Sequence, residues 1–151
     1  MNASLVDGLP GPPGLWEGER LLLAGFRAWA RCRIDRGSPS EVVRRAIACV
    51  TSEQAAALFA ALMETLEGVG RRPLRLHCGA CPGYAEDEQR LVLACGLSPV
   101  EPEVALRLLE PLVRDPAAVV CFARALNAAL CADGLALPVR LGAPAAPVTL
   151  H

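Results

Sequence analysis

Lysine is absent from this 151-residue chain; its 15 Lys-or-Arg positions are all arginine. A phosphate-binding loop ending in Lys-Ser or Lys-Thr is thereby excluded, because its lysine is the group that reaches the phosphates. Histidine is nearly absent too: the only 2 are His77 and His151, the latter the final residue. A Ser-His-Asp triad would have to rest on His77 alone, and no Gly-x-Ser-x-Gly elbow accompanies it. No apolar run reaches the roughly 18 residues of a membrane span, so no membrane partner is expected. The opening MNASLVDGLPGPPG has neither a basic start nor a long apolar core and does not read as a secretory signal. Charge of one sign is also lacking. A formal net charge of −1 argues against a broad electrostatic grip on nucleic acid.

Aromatic residues make up only 4% of the chain, while hydrophobic residues make up 53%. The apolar content is mostly Ala, Leu and Val, and strand-favouring Ile, Tyr, Phe and Thr are scarce. Ala and Leu lead the helix scale, so composition points to an all-α protein. A chain of this length buries enough surface to fold without a metal or a disulfide. The 7 cysteines are an odd number, and several fall at apolar helix positions, which suits a reduced, cytoplasmic protein. Arginine-only basic usage beside abundant Ala, Gly and Pro matches the coding bias of a GC-rich, bacterial genome.

Patterning predicts about six helices in a compact bundle or orthogonal array, as one domain over residues 15–140. A flexible Pro/Gly-rich lead over 1–14 and a loose tail over 141–151 are expected on either side. In the first helix Leu22, Phe26, Trp29 and Arg33 share one line, with Leu15, Leu23 and Ala30 beside it, and Gly37 is a plausible stop. Ser38-Pro39-Ser40-Glu41 reads as a capping box before a second helix burying Val42, Val43, Ala46, Ile47 and Val50. Ser52 precedes a third, with Ala55, Leu58, Phe59, Leu62, Met63 and Leu66 at helical spacing. A fourth spans Ala85 to Cys95, closed by Gly96. A fifth follows Ser98-Pro99, with Val104, Leu108 and Leu112 as its stripe and Pro111 near its end. A sixth starts at Asp115-Pro116, buries Val119, Phe122, Ala123, Leu126, Ala129 and Leu130, and stops at Gly134. The break in helical pattern is 71–84, where Pro73-Leu74-Arg75-Leu76-His77 alternates apolar and basic residues. That alternation fits a short extended segment, with nothing obvious to pair with.

The chemistry-bearing stretch is LHCGACPGY, residues 76–84. Cys78-x-x-Cys81 spacing lets two thiolates take neighbouring corners of a tetrahedron, and His77 adds a nitrogen. Zinc prefers four such ligands, and no second half-motif exists. The nearest later thiol is Cys95, which completes a candidate set of His77, Cys78, Cys81 and Cys95. The fourth helix would carry Cys95 roughly 15 Å from its own start, an awkward reach. Read instead as a redox dithiol, Cys78 sits just before a helix N-terminus, where thiolates are favoured. The spacing resembles that of thioredoxin-like proteins, but the strands of that fold are missing. The third reading is a tight turn, allowed by Gly79, Ala80 and Gly83, whose thiols pack. Cys49, Cys95, Cys121 and Cys131 are expected to pack in the same way.

Arginines form the other surface feature: Arg20, Arg27 and Arg31 along the first helix, near Arg36, Arg44 and Arg45, and then Arg71, Arg72 and Arg75. Arginine forks suit phosphate or carboxylate recognition, although a charge run is ordinarily a solvated face. The second and third helices do not make a DNA-reading helix-turn-helix, because the third is too apolar to lie in a groove. With no catalytic constellation, the expectation is a helical adaptor or regulatory protein rather than an enzyme. It would act on an unknown protein partner or a second copy of itself through Arg20, Arg27 and Arg31. The alternatives are a zinc-stabilised binding module and a dithiol redox protein. No other cofactor is expected.

Overall fold

The computed structural model describes residues 11–79 and 81–141. The expectations for 1–10 and 142–151 lie outside the described residues. Six helices follow in order: α1 (Glu17–Ile34), α2 (Pro39–Val50), α3 (Glu53–Val69), α4 (Glu86–Leu97), α5 (Pro102–Leu109) and α6 (Pro116–Ala132). Among the described residues there is no strand, only an isolated bridge between Gly70 and Val113. The fold is all-α, as the composition indicates.

One core runs through all six helices. The α3 helix packs along α6, while α4 and α5 form a hairpin against α6; α1 and α2 close the other side. Phe59 of α3 stacks on Phe26 and meets Trp29 edge-on, so three of the chain's few aromatics fill the α1–α3 seam. Gly25 permits that approach. A Cβ there would lie 2.6 Å from the Phe59 ring. The stripes expected for α3 and α6 are buried except Leu58 and Phe122, which are half-buried, and on α4 Leu91, Val92 and Cys95 are buried. In α2, Val43 and Ile47 are buried but Val42 and Ala46 face out. In α5 the buried residues are Ala105 and Leu109, one residue round from the expected Val104 and Leu108, while Leu112, just beyond the helix, is buried as expected.

Helix ends follow local chemistry with four corrections. Ser52 accepts the Ala55 amide at 3.1 Å and Asp115 the Ala118 amide at 3.2 Å, as caps should. Ser38 stands at the N-cap of α2, but its side chain makes no capping bond. Ser98 ends α4 rather than starting α5; it is buried, and its hydroxyl donates to the Ala94 carbonyl at 2.6 Å. Gly96 does not close α4 but lies within it. The Pro138 carbonyl rests where a Cβ would be, which brings the arm 135–141 down onto the helix. At the end of α1 the left-handed residue is Arg36, with φ 62°, and not Gly37.

Substituting two glycines tests this packing. Gly68, exposed near the end of α3 with nothing around its missing Cβ, should gain about 0.5 kcal/mol as Ala from helix propensity. Gly25→Ala should lose about 1–3 kcal/mol through overpacking against Phe59. Urea denaturation of the two variants beside the wild type gives both signs.

Candidate functional site

The segment between α3 and α4 is fixed by two consecutive carboxylates at the start of α4. Asp87 accepts the Arg75 amide at 2.7 Å and takes the Arg72 guanidinium as a fork, at 2.7 and 3.0 Å. Burial works to raise the Asp87 pKa, yet the Arg72 fork and the Arg75 amide outweigh it and hold the carboxyl below its ordinary range. Glu88 accepts the His77 amide at 2.9 Å and, in its own first turn, the Ala85 amide at 2.9 Å. A loop without regular structure thus has the N–H groups of Arg75 and His77 satisfied by side chains.

Glu88 has a third partner. Arg27 crosses from α1 and lays its fork on the carboxylate, Nε to Oε2 at 2.8 Å and Nη2 to Oε1 at 2.9 Å. Its remaining donors go to the Cys81 carbonyl at 2.9 Å and the Gly83 carbonyl at 2.7 Å. Arg27 is 5% exposed and Glu88 0%. One guanidinium therefore ties α1, α4 and the cysteine loop together, with all charge paired and bonded. Of the three arginines proposed as a surface, Arg27 is inside, Arg20 half-buried, and only Arg31 exposed, in a loose pair with Asp35 at 3.3 Å. Arg27 is therefore a structural anchor and not a surface group.

The cysteines separate by environment. The Cys81 amide donates to the Cys78 carbonyl at 3.1 Å, so the Cys-x-x-Cys forms a turn. Turns of this kind hold the end Cα atoms within about 7 Å of each other. Cys78 is exposed and Cys81 half-buried. Cys95 faces the core, where burial pushes its thiol up to about 12. Among the described residues no group of three or more His, Cys, Asp or Glu side chains converges to hold a metal, and His77, Cys78, Cys81 and Cys95 are not brought together. Cys49, Cys121 and Cys131, expected to pack, are exposed instead: each lies just off its helix's buried line.

Two hollows flank this loop on the outer side of α1. One, about 580 Å³, is lined by Leu23, Ala24, Ala28, Arg27, Arg31, His77 and Cys78 among others. The other, about 690 Å³, lies between Trp29, Met63, Leu66 and Leu74, with Arg33, Glu67 and Arg72 at its edge. Ala30, Ile34 and Leu76 line both, so the two form one trough. Its walls are α1 and the 70–79 segment. Arg33 is held on Glu67 at 2.7 Å, which also takes the Trp29 indole N–H at 2.9 Å. His77 Nε2 is buried without a hydrogen-bond partner among the described residues.

Asp87 and Glu88 carry no sequence mark as anchors beyond their place in the first turn of α4, where acids are common. The available signal was the spacing: Glu88 is the third helical residue, where a carboxylate reaches back to the cap amide. Ile34, 72% exposed at the junction of the hollows, carries no sequence mark at all.

Glu88→Gln should cost about 3–5 kcal/mol, because it leaves the buried Arg27 charge uncompensated. Replacing both partners by apolar residues should cost less than either single change, read from denaturation midpoints and loop hydrogen exchange. Iodoacetamide applied to the folded protein should label Cys78, Cys49, Cys121 and Cys131 before Cys81, and Cys95 only on unfolding, as mapped by peptide mass spectrometry. No protein-family model, curated protein or solved structure matches the chain, so geometry alone supports a reading of function.

Proposed function

We propose that this protein is a helical adaptor that binds a segment of another protein along the outer side of α1. The carrying observation is the trough, two adjoining hollows of about 580 and 690 Å³ that meet at Ala30, Ile34 and Leu76. Its lining is largely apolar, and a large apolar side chain, Ile34, stands 72% exposed at its centre. A concave apolar surface with polar groups at the edge is the common form of a recognition site. The buried Arg27–Glu88 tie keeps both walls in register, so a partner meets a preformed surface and ordering costs less on binding.

A second reading rests on the Cys78–Cys81 turn, in which the Cys81 amide bonds the Cys78 carbonyl and the Cys78 thiol is exposed. In that reading the loop exchanges with a disulfide-bearing partner and leaves a Cys78–Cys81 bond as two thiols depart.

A photo-crosslinking residue placed at Ile34 separates the adaptor reading from none. Installed in the host cell, it should give a covalent adduct with another polypeptide, competed by excess unlabelled protein. The same residue at Ala125, exposed on α6, should not. Equal adducts at both positions, or none at Ile34, would end the proposal.

A further inference from the structure

Over residues 73–77 the amides of one edge are satisfied, while the other edge makes no hydrogen bond among the described residues. The amides of Arg75 and His77 point the same way and donate to Asp87 and Glu88 at 2.7 and 2.9 Å. Leu74 and Leu76 are half-buried against the core while Arg75 is exposed. Side chains alternating in burial over residues 73–76, with the Arg75 and His77 amides turned to one side, are the marks of a short extended segment, and the half-buried His77 ends the alternation. Here two carboxylates occupy the place of a neighbouring strand. On the opposite edge, the N–H and C=O groups of Leu74 and Leu76 make no hydrogen bond among the described residues. Both leucines line the trough.

We infer that the adaptor's partner binds by adding an extended strand to the Leu74/Leu76 edge, and that this strand alternates apolar with acidic residues. The inference rests on the adaptor reading and names the partner's chemistry. Main-chain bonds to an open edge supply affinity, and alternate side chains supply specificity. Side chains on the leucine side of the added strand enter the trough beside Ile34 and must be apolar. Those on the other side stand next to Arg75, which is exposed and without an ion pair among the described residues. Opposite charges across neighbouring strands stabilise, and like charges do the reverse. Arg27, Arg31, Arg33 and Arg72 also line the trough, but each is paired with a carboxylate, Glu88, Asp35, Glu67 and Asp87 respectively, so the acidic preference rests on Arg75. A second copy of this chain fits poorly, because pairing two 73–77 edges would set Arg75 among the copy's Arg75 and His77.

Fluorescence anisotropy with the full chain tests this. The probe is a short labelled peptide alternating glutamate with valine and leucine. It should bind, with about tenfold loss when the amides facing the open edge are N-methylated, since each hydrogen bond removed is worth up to roughly a factor of ten. Leu76→Pro, which deletes an edge donor, should weaken binding similarly. Methylation alters only the peptide, so its result stands even if that variant unfolds. Equal binding by the methylated peptide, by one with the same composition at helical spacing, or by a lysine version would overturn the inference. So would failure of the alternating peptide to bind, or its displacement by dimerisation seen in sedimentation. The Ile34 crosslink stands apart from all of these: an adduct there with no strand-like binding retains the adaptor and removes the strand.

Discussion

The Arg27–Glu88 pair is where helix packing and loop placement meet. A lone buried charge costs several kcal/mol, so neither residue is tolerable inside without the other. Each has more hydrogen-bonding capacity than the other can use. The surplus on Arg27 goes to the Cys81 and Gly83 carbonyls, and the surplus on Glu88 to the His77 and Ala85 amides. The loop is therefore a condition of burying the pair: without its backbone groups, donors and acceptors would be left unmatched in a dry site. Such ionic ties add less to stability than apolar replacements of the same shape, and their return is in specifying one arrangement. Here that arrangement sets the height of the cysteine turn above α1.

The same device recurs at the other end of α1. Glu19 is also a third helical residue, accepts the Trp16 amide at 2.9 Å, and takes the Arg140 fork at 2.8 Å on both oxygens. Arg140 is bonded further to the Gly14 carbonyl at 3.1 Å. Two acids in equivalent helix positions thus each close their own helix start and recruit an arginine from far along the chain. Tyr84 packs between these two sites, and burial, reinforced by Glu19, pushes its phenol upward. In a chain whose cations are all arginine, this recurrence has a physical basis. Only the guanidinium offers a planar fork with donors to spare for carbonyls.

Helix number and most buried faces could be read from the sequence because they depend on local period. Leu91, Val92 and Cys95 fall on one side of α4 wherever its ends lie. The errors fall where a distant group decides. Gly96 looks like a helix end until the Pro138 carbonyl is seen to occupy its missing side chain. Cys121 looks apolar, yet one turn of the wheel leaves it exposed beside buried Val120. Arg27 looks like a surface cation, because nothing within α1 announces a carboxylate 61 residues away. The trough is a still harder case. It exists only because the 70–79 segment is drawn alongside α1, and its residues are ordinary Ala, Ile and Leu.

The alternation Pro73-Leu74-Arg75-Leu76-His77 was readable as an extended segment, and the objection to it was that it had nothing to pair with. Half of that objection is met inside the molecule. Carboxylates of Asp87 and Glu88 accept from Arg75 and His77 as a neighbouring strand would. A side-chain acceptor can satisfy an N–H but offers no donor in return, so it holds the segment without extending a sheet. An all-α protein can in this way hold a single extended segment in place, with the amides of one edge taken by acids and the other edge making no hydrogen bond among the described residues. An open edge is a liability in a protein with many strands, because it pairs indiscriminately. One short edge beside an apolar trough offers far less to pair with than the edge of a sheet does.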